Sequence, residues 1–300
     1  MSDDNVQVQD APVAPDVRRG GAGPLGWFAI TVGLVGAGWI VMDMVCRQTP
    51  PPAPPPRAVW ARLRLVRMPA WMSPDIRKEI FQDIRKVSRG RAISDEGLAR
   101  DLYHAAAANP WIERVRRVVK YQDGVVVVDA QYRRPFAVAA SAAGNGELYV
   151  VDREGVVLPL PPDRLDGRAL VVIRDVAARP VSVGEKWDAP DLRDGLRLLD
   201  LIKDKPYLRE ITTIDIRNWS EVIPTEPRIR LRAERPDGSY TDVRFGRFPV
   251  ADGLDYCITP ERKIEYLDAY YRSNGNRLAG ANAFVDLQYD KLYVSHDAMR

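Results

Sequence analysis

From residue 25 to residue 42 every position is apolar or small except Thr31, and none carries a charge. A run of that length predicts a bilayer-spanning helix. Trp27 and Trp39 fall near its two ends, where amphipathic rings favour the membrane interface, and Asp43 sits where a carboxylate can reach water. The expectation is a single transmembrane helix over 25–45. A cleaved signal peptide is the competing reading, but no small-x-small cleavage site follows, and Asp43-Met44-Val45 before Cys46 lacks the small residues of a lipoprotein signal. Residues 1–24 are polar with no apolar period, which predicts a disordered tail. Residues 46–58 contain Thr49-Pro50-Pro51-Pro52-Ala53-Pro54-Pro55-Pro56, an extended polyproline linker.

Beyond the linker the pattern changes to that of folded modules. In 59–66, Leu63 and Leu65 alternate with Arg62 and Arg64, as in a strand with one buried face. Ser73 then caps a helix with Pro74 at its first position, and Ile76, Ile80, Ile84 and Val87 recur at helical spacing. A second helix is expected from Ser94, with Leu98, Leu102 and Ala105 or Ala106 on one side, ending at Asn109-Pro110. Two β-rich runs, 111–121 and 125–132, join through Gln122-Asp123-Gly124, a hairpin signal. The order over 59–136 is strand, helix, helix, strand, strand.

Residues 137–290 read as a β-domain with two helices. Strands are expected at 147–158, 169–173, 213–217, 228–234, 240–245 and 283–289. Ile229, Leu231 and Ala233 alternate with polar residues, so this sheet is wet on one face and mostly antiparallel. One helix carries Leu192, Leu196, Leu199 and Ile202 as its core stripe, and a later one, opening at Thr259-Pro260, carries Ile264, Leu267 and Tyr271. Residues 291–300 are left as a tail. The fold class is α+β.

Composition removes several functions. Lys+Arg 44 against Asp+Glu 41 leaves a net charge of +3 over 300 residues, too little to favour nucleic acid. The two cysteines, Cys46 and Cys257, form neither a disulfide framework nor a metal-spaced pair. His104 and His296 are the only histidines, so a histidine-based triad is disfavoured. Asp152 and Glu154 precede a glycine and read as turn-formers. No catalytic residue, cofactor, metal or small-molecule substrate is expected. Arg114, Arg116, Arg117 and Lys120 form a basic run that reads as a solvated strand face, with anionic lipid or an acidic partner as the alternative.

Three stretches carry a resemblance. Asn109-Pro110-Trp111-Ile112-Glu113-Arg114-Val115, followed by the strand at Val125 and by Tyr132-Arg133-Arg134-Pro135-Phe136-Ala137, is similar to a Pro-Trp step leading to a strand and a basic-Pro step. Tyr149-Val150-Val151-Asp152-Arg153-Glu154-Gly155-Val156-Val157 resembles an Asp-x-Glu-Gly hairpin, and Phe284-Val285-Asp286-Leu287-Gln288-Tyr289 a terminal "DLRY" strand. Together, behind one apolar segment, they resemble the FtsQ/DivIB cell-division family, in which a POTRA domain precedes a β-domain. Tyr132 stands where that pattern has an acidic residue, and Gln288 where it has arginine.

The resemblance implies a non-enzymatic bitopic scaffold that organises septal cell-wall synthesis proteins. It places the amino terminus in the cytoplasm and the large domain in the periplasm, against the arginine count: Arg18 and Arg19 are outnumbered by Arg47, Arg57, Arg62 and Arg64. The implied partners are bitopic divisome proteins of the FtsB/FtsL kind. They would bind through the last strand, at Tyr289 with Asp286, Leu287 and Phe284, if that strand is the sheet edge. A bitopic scaffold of a secretion or pilus assembly system is the alternative.

Overall fold

The computed structural model describes residues 33, 36–44, 59–144, 146–164, 170–249 and 257–295. The chain divides into two units, 1–57 and 58–300. In the first unit, Gly33 and residues 36–44 are helical, and Trp39, at 78% exposure, lies on that helix. Among the described residues no helix is long and apolar enough to cross a membrane. The expected transmembrane helix is therefore not seen: residues 36–44 span about 14 Å at 1.5 Å per residue, against roughly 30 Å of hydrocarbon. Trp27, the tail at 1–24, the linker at 46–58, Cys46 and His296 lie outside the described residues.

The second unit opens with a three-stranded sheet backed by two helices: β1 (Arg62–Val66), α1 (Pro74–Ser88), α2 (Leu98–Ala107), β2 (Ile112–Lys120) and β3 (Val125–Tyr132). The strand order is β1-β3-β2, with β1 parallel and β2 antiparallel to β3. The Ser73 hydroxyl accepts from the Ile76 amide, and Pro74 sets the first turn of α1. Ile80 and Ile84 from α1 and Leu98, Leu102 and Ala106 from α2 meet Val115, Val126 and Val128 of the sheet, all buried. The β2–β3 turn needs its glycine. Gly124 has φ +88°, and a Cβ there would fall 2.9 Å from the Trp60 carbonyl oxygen.

An eight-stranded sheet follows. It comprises β4 (Ala137–Ser141), β5 (Leu148–Val151), β6 (Val172–Val176), β7 (Ile211–Asp215), β8 (Ile229–Glu234), β9 (Tyr240–Gly246), β10 (Phe284–Asp286) and β11 (Tyr293–Val294), in the order β11-β10-β9-β8-β7-β6-β4-β5. Helix α3 (Pro190–Ile202) connects β6 to β7, and α4 (Pro260–Ser273) connects β9 to β10. Both of those strand pairs are parallel, as is β4 with β6. Four of the seven pairings are antiparallel, as expected, and three are parallel, which the sequence reading does not anticipate; two of these three are bridged by the helices, because neighbouring parallel strands need a crossover. The sheet also runs past residue 290, since β11 lies within the expected tail.

The two sheets share material at one end. On β4, Ala137 and Ala139 face the core under α3, while Val138 between them faces the core of the three-stranded module. Val151 and Ile173 join the first of these cores, and Val150 and Val172 the second. Residues 137–139, 150–151 and 172–173 of these strands are therefore covered on both faces, and there successive residues are all apolar, as a period of two requires. Arg133, just after β3, reaches Asp152, just after β5, at 2.6 Å, with side-chain exposures of 15% and 6%. Asp152 also accepts from the Glu154 and Val156 amides. It is a turn-former held by an arginine, and two of the three resembling stretches meet in this pair.

Leu158 lies in the shared core at 2% exposure, its amide bonded to Val150. Leu158→Ala should cost about 2–5 kcal/mol. Because that core spans both modules, hydrogen exchange in β3 and β6 should accelerate together; acceleration in β6 alone would show that the modules open separately.

Candidate partner-binding site

The far end of the eight-stranded sheet is built differently. Phe284, Val285 and Asp286 of β10 run parallel to Asp242, Val243 and Arg244 of β9, and β11 returns antiparallel to pair Tyr293 with Asp286 and Val294 with Val285. The expected strand at 283–289 is thus only three residues long, and it is not the sheet edge. Its end is set by Asp286, whose Oδ1 accepts from the Gln288 amide at 3.0 Å and from Gln288 Nε2 at 3.2 Å. A carboxylate bonding the backbone two residues on turns the chain out of the strand. The outer edge is β11.

The four expected binding residues then separate. Leu287 is fully buried, in the core with Val285, Val243 and Phe245. Asp286 is 6% exposed, and its Oδ2 lies 3.9 Å from Arg244 Nη1. Phe284 is half-buried under the Arg244 guanidinium, 3.9 Å from its ring centroid. Tyr289 is 58% exposed in the turn between β10 and β11. Its ring meets that of Tyr293 edge to face, 5.5 Å between centroids. Asp290, beside it, accepts from the Tyr266 hydroxyl of α4 at 2.9 Å, so the turn is tied to the helix.

Tyr293, which the sequence reading left in the tail, is 50% exposed. Its signal is the alternation Leu292, Tyr293, Val294, in which the outer two are half-buried against the core and the middle one faces outward. The candidate site therefore consists of two exposed tyrosines beside the outermost strand, which among the described residues has no partner on its outer side, with Arg244 and Phe284 stacked on the adjacent sheet face. No protein-family model matches this chain, and no curated protein matches it.

Other places that could carry chemistry are occupied by their own contacts. A groove of about 440 Å³ along α3 is lined by Arg153, Asp188, Arg193 and Asp200 among others. Arg153 pairs with Asp200 and Arg193 with Asp188, each at 2.6 Å. Among the described residues no group of His, Cys, Asp and Glu could hold a metal ion. His104 is exposed on α2, in edge contact with Tyr103, and the half-buried Cys257 thiol donates to the Arg247 carbonyl at 3.5 Å and accepts from Lys263 Nζ at 3.7 Å. Arg114 and Arg116 of the basic run are exposed, Arg117 lies 3.5 Å from Asp129, and Lys120 donates to the Asp95 carbonyl.

Two neighbouring positions can be told apart by stability. Tyr289→Ala removes an exposed ring and should leave the thermal unfolding midpoint nearly unchanged, whereas Leu287→Ala should cost about 2–5 kcal/mol. A large fall in the midpoint for Tyr289→Ala would make that ring part of the core.

Proposed function

We propose that this chain is a protein-binding scaffold of the FtsQ/DivIB type, which holds bitopic cell-division proteins of the FtsB/FtsL kind together on the periplasmic side of the cytoplasmic membrane. The observation that carries the reading is the β11 edge with Tyr289 and Tyr293 beside it. A strand with an unpaired outer edge accepts a partner strand through main-chain hydrogen bonds, and alternate side chains select the partner. Tyrosine suits such a place, because it offers a large ring and a polar tip at low cost in side-chain entropy.

The order of the motifs supports the family reading. The basic-Pro stretch and the Asp-x-Glu-Gly stretch come together in the Arg133–Asp152 pair, and the third stretch forms β10 and the turn bearing Tyr289. No reaction is part of this reading. The scaffold acts by raising the local concentration of its partners at one place.

Captured from crosslinked membranes with the wild-type chain, an FtsB-like bitopic protein should be lost by about tenfold or more with Tyr289→Ala. Tyr293→Ala should give a similar loss. A fluorescently tagged full chain should gather at midcell. Undiminished capture would remove the tyrosine site, and a uniform envelope signal with capture of secretion or pilus components would transfer the scaffold to that system.

A further inference from the structure

The three-stranded sheet has a second face, opposite α1 and α2. Directly paired residues share a face, so the register places Arg62 beside Val125, and Arg64, Val127 and Val119 in one row. Val66, Asp129 and Arg117 form the next row, and Gln131 with Arg114 the last. Val66, Val119, Val125 and Val127 are half-buried and belong to neither hydrophobic core. They form an apolar strip between arginines. Arg62, Arg64, Arg114 and Arg117 are all exposed.

Asp129 lies under this face at 4% exposure. Arg117 Nε is 3.5 Å from its Oδ2, and Arg67 Nε is 3.6 Å from its Oδ1, which accepts no hydrogen bond. Arg67 reaches it from a left-handed conformation, φ 59°, that is uncommon for so large a side chain. The buried carboxylate fixes two guanidiniums that remain 59% and 68% exposed, each with donors to spare. Two further carboxylates border the face, and both are engaged: Glu113 accepts from Gln131, and Asp123 accepts from the Val125 amide within its own hairpin. Arg64 and Arg114 form no ion pair among the described residues.

We propose that this face is a second docking surface, separate from β11, for an acidic amphipathic segment of a partner protein. The partner's apolar side chains cover the valine strip, and its carboxylates take the guanidiniums at the rim, where planar bidentate pairing favours arginine over lysine. Charge complementarity decides the occupant: five guanidiniums face three carboxylates, all three already engaged. A bilayer surface would offer phosphates to the arginines but, at headgroup level, no apolar side chains to cover the half-buried valines.

The test is a fluorescence anisotropy titration of the full chain with a labelled synthetic helix bearing Leu on one face and Glu on the other. Saturable binding is expected, and it should weaken as salt is raised. Arg64→Glu with Arg114→Glu should weaken it by at least about tenfold, while the matching peptide with Lys in place of Glu should gain affinity for that variant. Val127→Thr, which keeps the side-chain shape, should also weaken binding and serves if the charge variant fails to fold. Equal binding of the Glu peptide to wild type and variants would overturn the proposal. So would binding of wild type to phosphatidylglycerol vesicles but not to the peptide.

Discussion

The double burial of β4, β5 and β6 is the constraint on which the rest of residues 58–300 depends. Ala137, Ala139, Val151 and Ile173 face one core and Val138, Val150 and Val172 the other, so neither module is complete without these strands. Fully burying one valine or isoleucine side chain contributes roughly 1.5–3 kcal/mol, and the alternating set contributes that on both sides at once. Close approach is part of the arrangement. Gly195 of α3 lies so near β6 that a Cβ there would sit 3.0 Å from Ile173 Cγ2. The Arg133–Asp152 pair then fixes the crossing from one sheet to the other.

Where the second layer stops, the same sheet turns polar. From β7 to β10 the outward positions read Asp215, Arg230, Arg244 and Asp286 across one row, and Thr213, Arg232, Asp242 and Phe284 across the next. Burial pushes the Asp215 carboxyl up, but the bonds and charge of Arg217, with that of Arg230, outweigh it and hold Asp215 below the usual carboxylate range. Asp242 ends up raised, because its burial outweighs the pull of Arg230, Arg232 and Arg244. Arg232 and Arg244 also stack on Tyr240 and Phe284, each 3.9 Å from the ring centroid. The face is occupied by its own pairs, and among the described residues no strand pairs with the outer side of β11, at the end of the sheet.

Much of this was legible in the chain where one local signal acted alone. The stripes Leu192, Leu196, Leu199, Ile202 and Ile264, Leu267, Tyr271 are buried faces of α3 and α4, and Gln122-Asp123-Gly124 turns between β2 and β3. Departures arose where a side chain redirected the backbone. The helix expected from Ser94 begins at Leu98 because Asp95 bonds the Gly97 amide, and Arg91 holds both Asp95 and Asp101. Asp286 cut the last strand in the same way. β4 has no such signal, because a strand buried on both faces shows no alternation, and Ala137 to Ser141 offers one β-branched residue, Val138, among small ones. At the candidate site, Tyr289 was visible through its motif, whereas Tyr293 required knowing that the chain turns back.

The central claim is that a partner strand adds to β11. Hydrogen–deuterium exchange of the full chain, with and without an FtsB-like partner peptide, tests it at the backbone itself. The Ser295 amide already donates to the Phe284 carbonyl, so the neighbouring Val294 amide faces the outer edge, and strand addition predicts that its exchange slows on binding. Binding that leaves the Val294 amide unchanged and protects another part of 58–300 would contradict it.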